Sequence, residues 1–334
     1  MKVFETLTKT YTQCGSAPFV FDLLIDSCLQ TKKIEHAIRI TKMLLSRGIS
    51  PRFGTRNSLI RQVSRLLGAD EGYDLYKEIS MLKASRVRPS VEILNTLMVA
   101  FYQENMLERV KEIWNEMVEL DCDPNCFSFS ILMAAYCDEG KMEKAKDLWE
   151  KMRARSVEFD VMAYNTIIGG FCQIGEVEKA EEFFKEMALS GIESTSTTYE
   201  HLIKGYCKTG NVDSAMLVYR DLVRRGFRLE GLTFHELIRG LCDGSRVLEA
   251  LNLKCALRHS GICWTRESFE VLIMGLCREG KMEEALKLQA EMVSEGFEPS
   301  CKIYSAFILG CEDQGNVEMA EKLREEMQEI GLCE

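Results

Sequence analysis

Fourteen cysteines, four histidines and a knot of arginines are the residues of this 334-residue chain whose chemistry could define a function. Thiols form disulfides, hold metals or do redox work, and spacing separates these roles. Cys137, Cys172, Cys207, Cys242 and Cys277 lie 35 residues apart, and no Cys-x-x-Cys pair occurs. That regularity reads as one structural position repeated, filled by small buried thiols in a reducing compartment. The histidines are His36, His201, His235 and His259. His235-Glu236 begins like a zinc-protease helix, but Arg239 stands where the second histidine ligand would be needed. Cys122 and Cys126 are the nearest cysteine pair, with no further Cys or His pair at finger spacing. Neither a GxxxxGK[ST] phosphate loop nor a GxSxG nucleophile elbow is present. The expectation is a protein that is not an enzyme and has no catalytic residue, metal or cofactor. Arg52, Arg56, Arg61 and Arg65 suit phosphate contact, with Arg61 and Arg65 one helical turn apart; a solvated basic face is the alternative.

The elements that would carry these residues follow from the 35-residue period. Tyr164, Ile167, Ile168, Phe171 and Cys172 follow the i, i+3, i+4, i+7, i+8 spacing of one helical face. Gly175 ends that helix, since glycine enters the left-handed cap without steric cost. Val177, Ala180, Phe183, Phe184 and Met187 make a second amphipathic helix, closed by Gly191. Ala180 recurs as Ala145, Ala215, Ala250, Ala285 and Ala320, and Gly191 as Gly48, Gly226, Gly261, Gly296 and Gly331. Pro51, Pro89, Pro124 and Pro299 share one place in the turn between repeats, where they block continuation. Met117, Met152, Met187, Met292 and Met327, with Trp114 and Trp149, recur once per repeat as core filling. Eight complete repeats occupy 18–52, 53–90, 91–125, 126–160, 161–195, 196–230, 231–265 and 266–300. A ninth runs 301–334, residues 1–17 form a partial helix before the first, and the second repeat is three residues longer. One helical pair cannot bury both apolar faces, so neighbours must stack into an all-α solenoid.

Bulk properties agree. A chain 46% hydrophobic and 28% charged is too apolar to be disordered. Its longest apolar runs, such as Ile131 to Cys137, fall well short of the roughly 18 residues that span a bilayer, so no membrane role is expected. The N-terminal MKVFETLTKTYTQCG lacks the apolar core of a secretory signal and the Arg/Ser character of a transit peptide. On its residues the protein is either cytosolic or a chain whose leader is missing.

The period, the Tyr-Asn-Thr opening at Tyr164, the Gly-x-Cys before the first glycine and the Gly-x-x-Pro ending resemble the pentatricopeptide repeat family, in its pure-repeat (P-type) subclass. The resemblance covers nearly the whole chain and implies an all-α, right-handed superhelical solenoid of helix-turn-helix repeats. It also implies single-stranded RNA binding, one base per repeat, without cofactor. The reading residues it implies are the fifth and last of each repeat. Carried over, these are Asn57 with Ser90 for cytosine, Asn95 with Asn125 for a pyrimidine, Ser130 with Asp160 for guanine, and Asn165 with Thr195 for a pyrimidine. Asp22 with Arg52, Glu200 with Glu230, His235 with Thr265 and Glu270 with Ser300 match no recognisable code, and Ser305 stands alone. The implied target reads, from 5′, any–C–pyrimidine–G–pyrimidine–any–any–any and then a purine. The same residue types are also favoured helix caps and turn formers. The resemblance further implies a mitochondrial location, with the chloroplast as alternative.

Charge pulls the other way. The chain is at −10, and the first fourteen residues of the nine repeats sum to −5, with only the second repeat clearly basic at +3. Phosphate binding asks for a basic groove. Lys204, Lys208, Arg239 and Arg278 are scattered further candidates. Two functions stay open on the sequence. One is sequence-selective RNA binding in organellar RNA processing, stabilisation, splicing or translation by occupying a transcript segment. The other is a protein–protein scaffold, with a partner held by repeats in 196–334.

Overall fold

The computed structural model describes residues 19–80, 89–257, 264–329 and 331. Among them eighteen helices and no strand occur. The partial helix expected over 1–17 and the turn at Gly261 lie outside the described residues. Two compact units divide the chain, Met1–Ala163 and Tyr164–Glu334. The first holds α1 (Phe19–Gln30), α2 (Ile34–Leu45), α3 (Phe53–Leu66) and α4 (Ala69–Ser80). It continues with α5 (Val91–Gln103), α6 (Leu107–Glu119), α7 (Cys126–Asp138) and α8 (Met142–Ala154). The division falls within α9 (Val161–Ile174). The second unit holds α10 (Val177–Leu189), α11 (Ser196–Lys208), α12 (Val212–Arg224), α13 (Gly231–Asp243) and α14 (Val247–Leu257). It ends with α15 (Arg266–Arg278), α16 (Met282–Ser294), α17 (Cys301–Asp313) and α18 (Val317–Glu329). The extra length of the second repeat falls after Ser80, beside residues 81–88, which are not described.

Odd-numbered helices open the repeats and even-numbered helices close them. Within each unit a first helix packs on its own second helix and on the first helix of the next repeat. Each second helix meets the following first helix. First helices thus form a continuous layer in each unit, the arrangement of an all-α helical repeat solenoid.

Repeated letters become repeated contacts. The fourth residue of a repeat is buried at Phe21, Leu94, Phe129, Tyr164, Tyr199, Phe234, Phe269 and Tyr304. Where it is tyrosine, its buried hydroxyl finds a carboxylate on the second helix. Tyr164 donates to Glu186 at 3.2 Å, Tyr199 to Asp221 at 2.9 Å and Tyr304 to Glu326 at 3.2 Å. The alanine column, Ala145 to Ala320, is fully buried, as are Met117, Met152, Met187 and Met292. Met327, on the last helix, is only half-buried. Trp149 is core, whereas Trp114 is half-buried and lines an outer cleft with Lys144 and Lys151. The cysteine column meets glycines one repeat on. A Cβ at Gly205 would lie 2.8 Å from Cys172, and one at Gly275 3.1 Å from Cys242. First helices approach too closely there for a larger pair. Burial drives these thiols up to about 12 at Cys137, Cys172, Cys207, Cys242 and Cys277, which keeps them protonated.

Left-handed turns end the helices on schedule, and not only at glycine. Gly140, Gly175, Gly210, Gly280 and Gly315 share their place after the first helix with Lys32, Asn105 and Ser245, all at positive φ. After the second helix, Asp121 and Ser156 do what Gly48, Gly191 and Gly226 do elsewhere. Stacking across many repeats imposes this conformation on side chains that disfavour it. Ser156→Gly is therefore expected to stabilise the chain by about 1 kcal/mol, through relief of the left-handed strain. Gly205→Ala should instead cost about 1–3 kcal/mol, because its Cβ overpacks the Cys172 contact. Urea denaturation of the two variants beside the parent measures both.

Candidate nucleic-acid interface

The fold places the fifth residue of a repeat on the first turn of its first helix. The last residue becomes the N-cap of the next first helix, as at Arg52, Ser90, Asn125, Thr195, Glu230, Thr265 and Ser300. Because consecutive first helices touch, these two positions meet across the repeat junction. Asn95 Nδ2 donates to Asn125 Oδ1 at 3.2 Å, and Asn165 Nδ2 donates to Thr195 Oγ1 at 3.3 Å. Capping and pairing coexist, since Asn125 Oδ1 also accepts from the Ser128 N–H at 3.0 Å.

The other two expected pairs are arranged differently. Ser130 is buried and turns its hydroxyl back to the Cys126 carbonyl at 3.0 Å, while exposed Asp160 accepts from the Ala163 N–H. Asn57 donates to Glu92 Oε2 at 3.0 Å rather than to Ser90, and its Oδ1 is buried without a hydrogen-bond partner. Ser90 accepts from the Ile93 N–H as a helix cap.

A third set of residues, not anticipated from the sequence, joins this network. The third residue of a repeat supplies a hydroxyl to the fifth residue of the repeat before it. Ser128 donates to Asn95 Oδ1 at 2.7 Å, Thr198 to Asn165 Oδ1 at 2.6 Å and Thr233 to Glu200 Oε2 at 3.1 Å. Ser268 Oγ lies 3.2 Å from His235 Nδ1. The signal was a Ser/Thr column at the repeat spacing, and it resembles an ordinary capping residue when read alone.

The arginine knot separates in space. Arg61 and Arg65 are exposed, make no hydrogen bond or ion pair among the described residues, and line an open groove of about 600 Å³ with Asn95, Asn125 and Phe127. Glu92 and Glu104 share that groove. Arg52 pairs instead with buried Asp22, whose Oδ1 accepts from the Arg52 N–H at 2.8 Å. Arg56 takes the fourth-residue place that is aromatic or leucine in the other repeats. It is half-buried with Nε unpartnered, and burial lowers its pKa against the opposing pull of Asp22. Phe127, Met162 and Leu232, at the second residue of their repeats, add apolar surface on the same first turn as the fifth. Apolar and aromatic surface of this kind suits base stacking.

In the second unit several of the weaker candidates already have partners within the chain. Buried Glu200 accepts from the Glu230 N–H at 3.1 Å and from Thr233. Glu270 takes Arg266, and Thr265 caps α15 through the Ser268 N–H. Ser300 Oγ is buried without a partner, and Ser305 is exposed. Arg239 pairs with Glu236, Arg278 with Asp243, and Lys208 reaches the Gln173 carbonyl. No cluster of His, Cys, Asp or Glu among the described residues could hold a metal, and no described helix is long and apolar enough to cross a membrane.

Two-helix repeats stacked in each unit, with polar side chains bonded across several junctions, define an all-α helical-repeat protein. The PPR repeat family matches residues 89–138, 159–200, 195–243 and 267–313, and the PPR repeat matches 127–157 and 302–332. More than half the chain is covered, and the chain belongs to the pentatricopeptide repeat family. It is 46% identical over 129 residues to pentatricopeptide repeat-containing protein At2g15980 of Arabidopsis thaliana, spanning 36% of this chain and 26% of that protein. A second Arabidopsis thaliana protein of the same description, At5g01110, is 31% identical over 80 residues, 24% of this chain and 11% of its own length. The chain thus matches about a quarter or less of these relatives. The crystal structure of maize PPR10 superposes with a TM-score of 0.62 at 15% identity, covering 97% of this chain and 55% of that one. The same protein in complex with an 18-nucleotide psaJ RNA element gives 0.60 at 18% identity, over 98% and 53%. These likenesses concern the fold.

Glu200 offers a test of the junction geometry. Burial raises its pKa above the ordinary 4.5, against the hydrogen bonds it accepts. A carboxyl with a raised folded-state pKa contributes stability that is present below 4.5 and lost as pH rises through the folded value. Glu200→Gln should remove that dependence, so the stability of the variant relative to the parent should rise between acid and neutral pH. Denaturant midpoints at matched pH values report the difference.

Proposed function

We propose that this chain is a sequence-selective single-stranded RNA-binding protein that acts by occupying a transcript segment. The observation that carries this reading is the Asn95–Asn125 pair, hydrogen-bonded across a junction and sharing one groove with the guanidinium groups of Arg61 and Arg65, which have no ion pair among the described residues. A paired amide on a rigid first turn is preorganised to meet a base edge, and two free cations beside it suit the flanking phosphates. The maize structure with its bound RNA element supports the same use of the fold. The RNA contacts concentrate in repeats two to five, and the implied C–pyrimidine–G–pyrimidine register belongs to them. By family resemblance the work proposed for it lies in a plant organelle, the mitochondrion ahead of the chloroplast, in RNA stabilisation, processing, splicing or translation. No chemistry is asked of these repeats, only occupancy. The internally held carboxylates of Glu200 and Glu270 favour a second reading for 196–334, contact with a protein partner.

Selection from a random single-stranded RNA pool at about 0.15 M salt, where counterion release already limits non-specific binding, tests the proposal. Enrichment of C–pyrimidine–G–pyrimidine is the expected result, lost on Asn95→Ala. Arg61→Ala with Arg65→Ala should weaken binding to every sequence and make the log–log salt slope shallower by about 1.4, two single-strand phosphate contacts. Retention without any motif, at the level of an unrelated acidic protein, would end the RNA reading and leave the scaffold.

A further inference from the structure

The sequence-selective reading treats the fifth and last residues as a pair, yet in the structure the fifth residue has two partners. Asn95 Oδ1 accepts from Ser128 Oγ at 2.7 Å while its Nδ2 donates to Asn125 Oδ1 at 3.2 Å. Asn165 repeats this with Thr198 at 2.6 Å and Thr195 at 3.3 Å. An asparagine amide is an acceptor at one end and a donor at the other, and a flip about its last bond exchanges them. What the base meets therefore depends on what holds the amide.

The hydroxyl that holds it is itself oriented. Ser128 Oγ accepts from the Asn125 N–H at 3.2 Å, and Thr198 Oγ1 from the Thr195 N–H at 3.0 Å. With a lone pair committed to the backbone N–H, the hydroxyl proton goes to an amide oxygen, and at Ser128 the nearer is Asn95 Oδ1 at 2.7 Å, ahead of Asn125 Oδ1 at 2.9 Å. The chain of bonds runs from cap N–H to hydroxyl to Oδ1, and from Nδ2 to the cap side chain. One N–H of Nδ2 is left for a ligand. Flipping Asn95 would set its oxygen against Asn125 Oδ1, which already accepts from Ser128 N, and two acceptors would face each other. The locked amide thus presents a donor, matched to a base acceptor such as O2 or N3 of cytosine or O2 or O4 of uracil.

The chain holds its own comparison. Asn57 is followed at the third place of the next repeat by buried Ile93, and its Oδ1 is buried without a partner. Its Nδ2 is drawn to Glu92 instead. Same residue, same turn of the helix, no hydroxyl, no lock.

Resting on the RNA-binding reading above, we propose that the third residue of the following repeat, Ser128 for Asn95 and Thr198 for Asn165, is a specificity-determining positioning residue that fixes which end of the amide meets the base. Ser128→Ala should lower discrimination at the nucleotide read by the third repeat by roughly five- to tenfold, the weight of one hydrogen bond, and leave the other positions alone. Thr198→Val, close in shape, should do the same for the fifth repeat only. Ser128→Thr should restore the parent preference. Ile93→Ser should sharpen the preference opposite Asn57, a gain that damage to the fold cannot imitate. Selection profiles of parent and variants on the same RNA pool read every arm. If the parent selects a motif and Ser128→Ala and Thr198→Val bind it more weakly but with unchanged base preference, the hydroxyls serve only as helix caps and the inference is overturned. If the parent selects no motif, the RNA-binding reading itself fails, and this inference with it.

Discussion

The approach of one first helix to the next is the contact on which the rest of this molecule depends. Gly205 backs onto Cys172 at a distance that a Cβ would violate, and Gly275 onto Cys242 at one that a Cβ would crowd. That closeness joins the first helices of each unit into one layer. It also carries the fifth residue of one repeat to within hydrogen-bond reach of the cap and the third residue of the next. Loosened by an ångström, Asn95 would lose both Asn125 and Ser128. The apolar core and the polar junction are two sides of a single spacing.

The same economy governs the helix ends. A first helix leaves its first N–H groups without intrahelical partners, and the last residue of the preceding repeat covers them. Asn125 does so with Oδ1 and keeps Nδ2 free of that duty, so the cap leaves one end of the side chain available. Left-handed residues after each helix set the direction of the next. Lys32, Asn105 and Ser156 adopt the conformation although no glycine makes it easy, because the neighbouring repeats on either side determine where the chain must go. Local preference yields to the stack wherever the two disagree.

How much of this was legible in the sequence follows from what repeats and what does not. Helix positions, the alanine and methionine columns, the buried cysteines and the glycine turns were legible because each recurs at 35 residues and has one physical cause. The fifth and last residues were legible only through family resemblance. Their pairing at Asn95 and Asn165 needed the junction geometry, which no single repeat contains. Arg56 shows the limit. Within its own helix it belongs with Arg61 and Arg65, but its place is the fourth, where other repeats bury an aromatic or a leucine, so it is half-buried with Nε out of water. Trp114 and Trp149 share a register, yet the outer packing covers one fully and the other by half. The hydroxyls of Ser128 and Thr198 were visible as capping residues. Their second bond crosses to another repeat, and a reading made one helix at a time does not reach it.

The two units put one scaffold to different electrostatic use. In the first, Arg61 and Arg65, without an ion pair among the described residues, stand beside a hydrogen-bonded amide in a groove they share with Glu92 and Glu104. In the second, Glu200 is held by Glu230 and Thr233, Arg239 by Glu236 and Arg278 by Asp243. A pair already closed contributes little long-range field, and breaking it to make a new contact returns only the difference between two similar interactions. A strand of phosphates would therefore gain little at Arg239 and Arg278. Net acidity and nucleic-acid binding are compatible on this argument. What counts is not the charge of the whole chain but how many cations remain unspent at the junctions where the bases would sit.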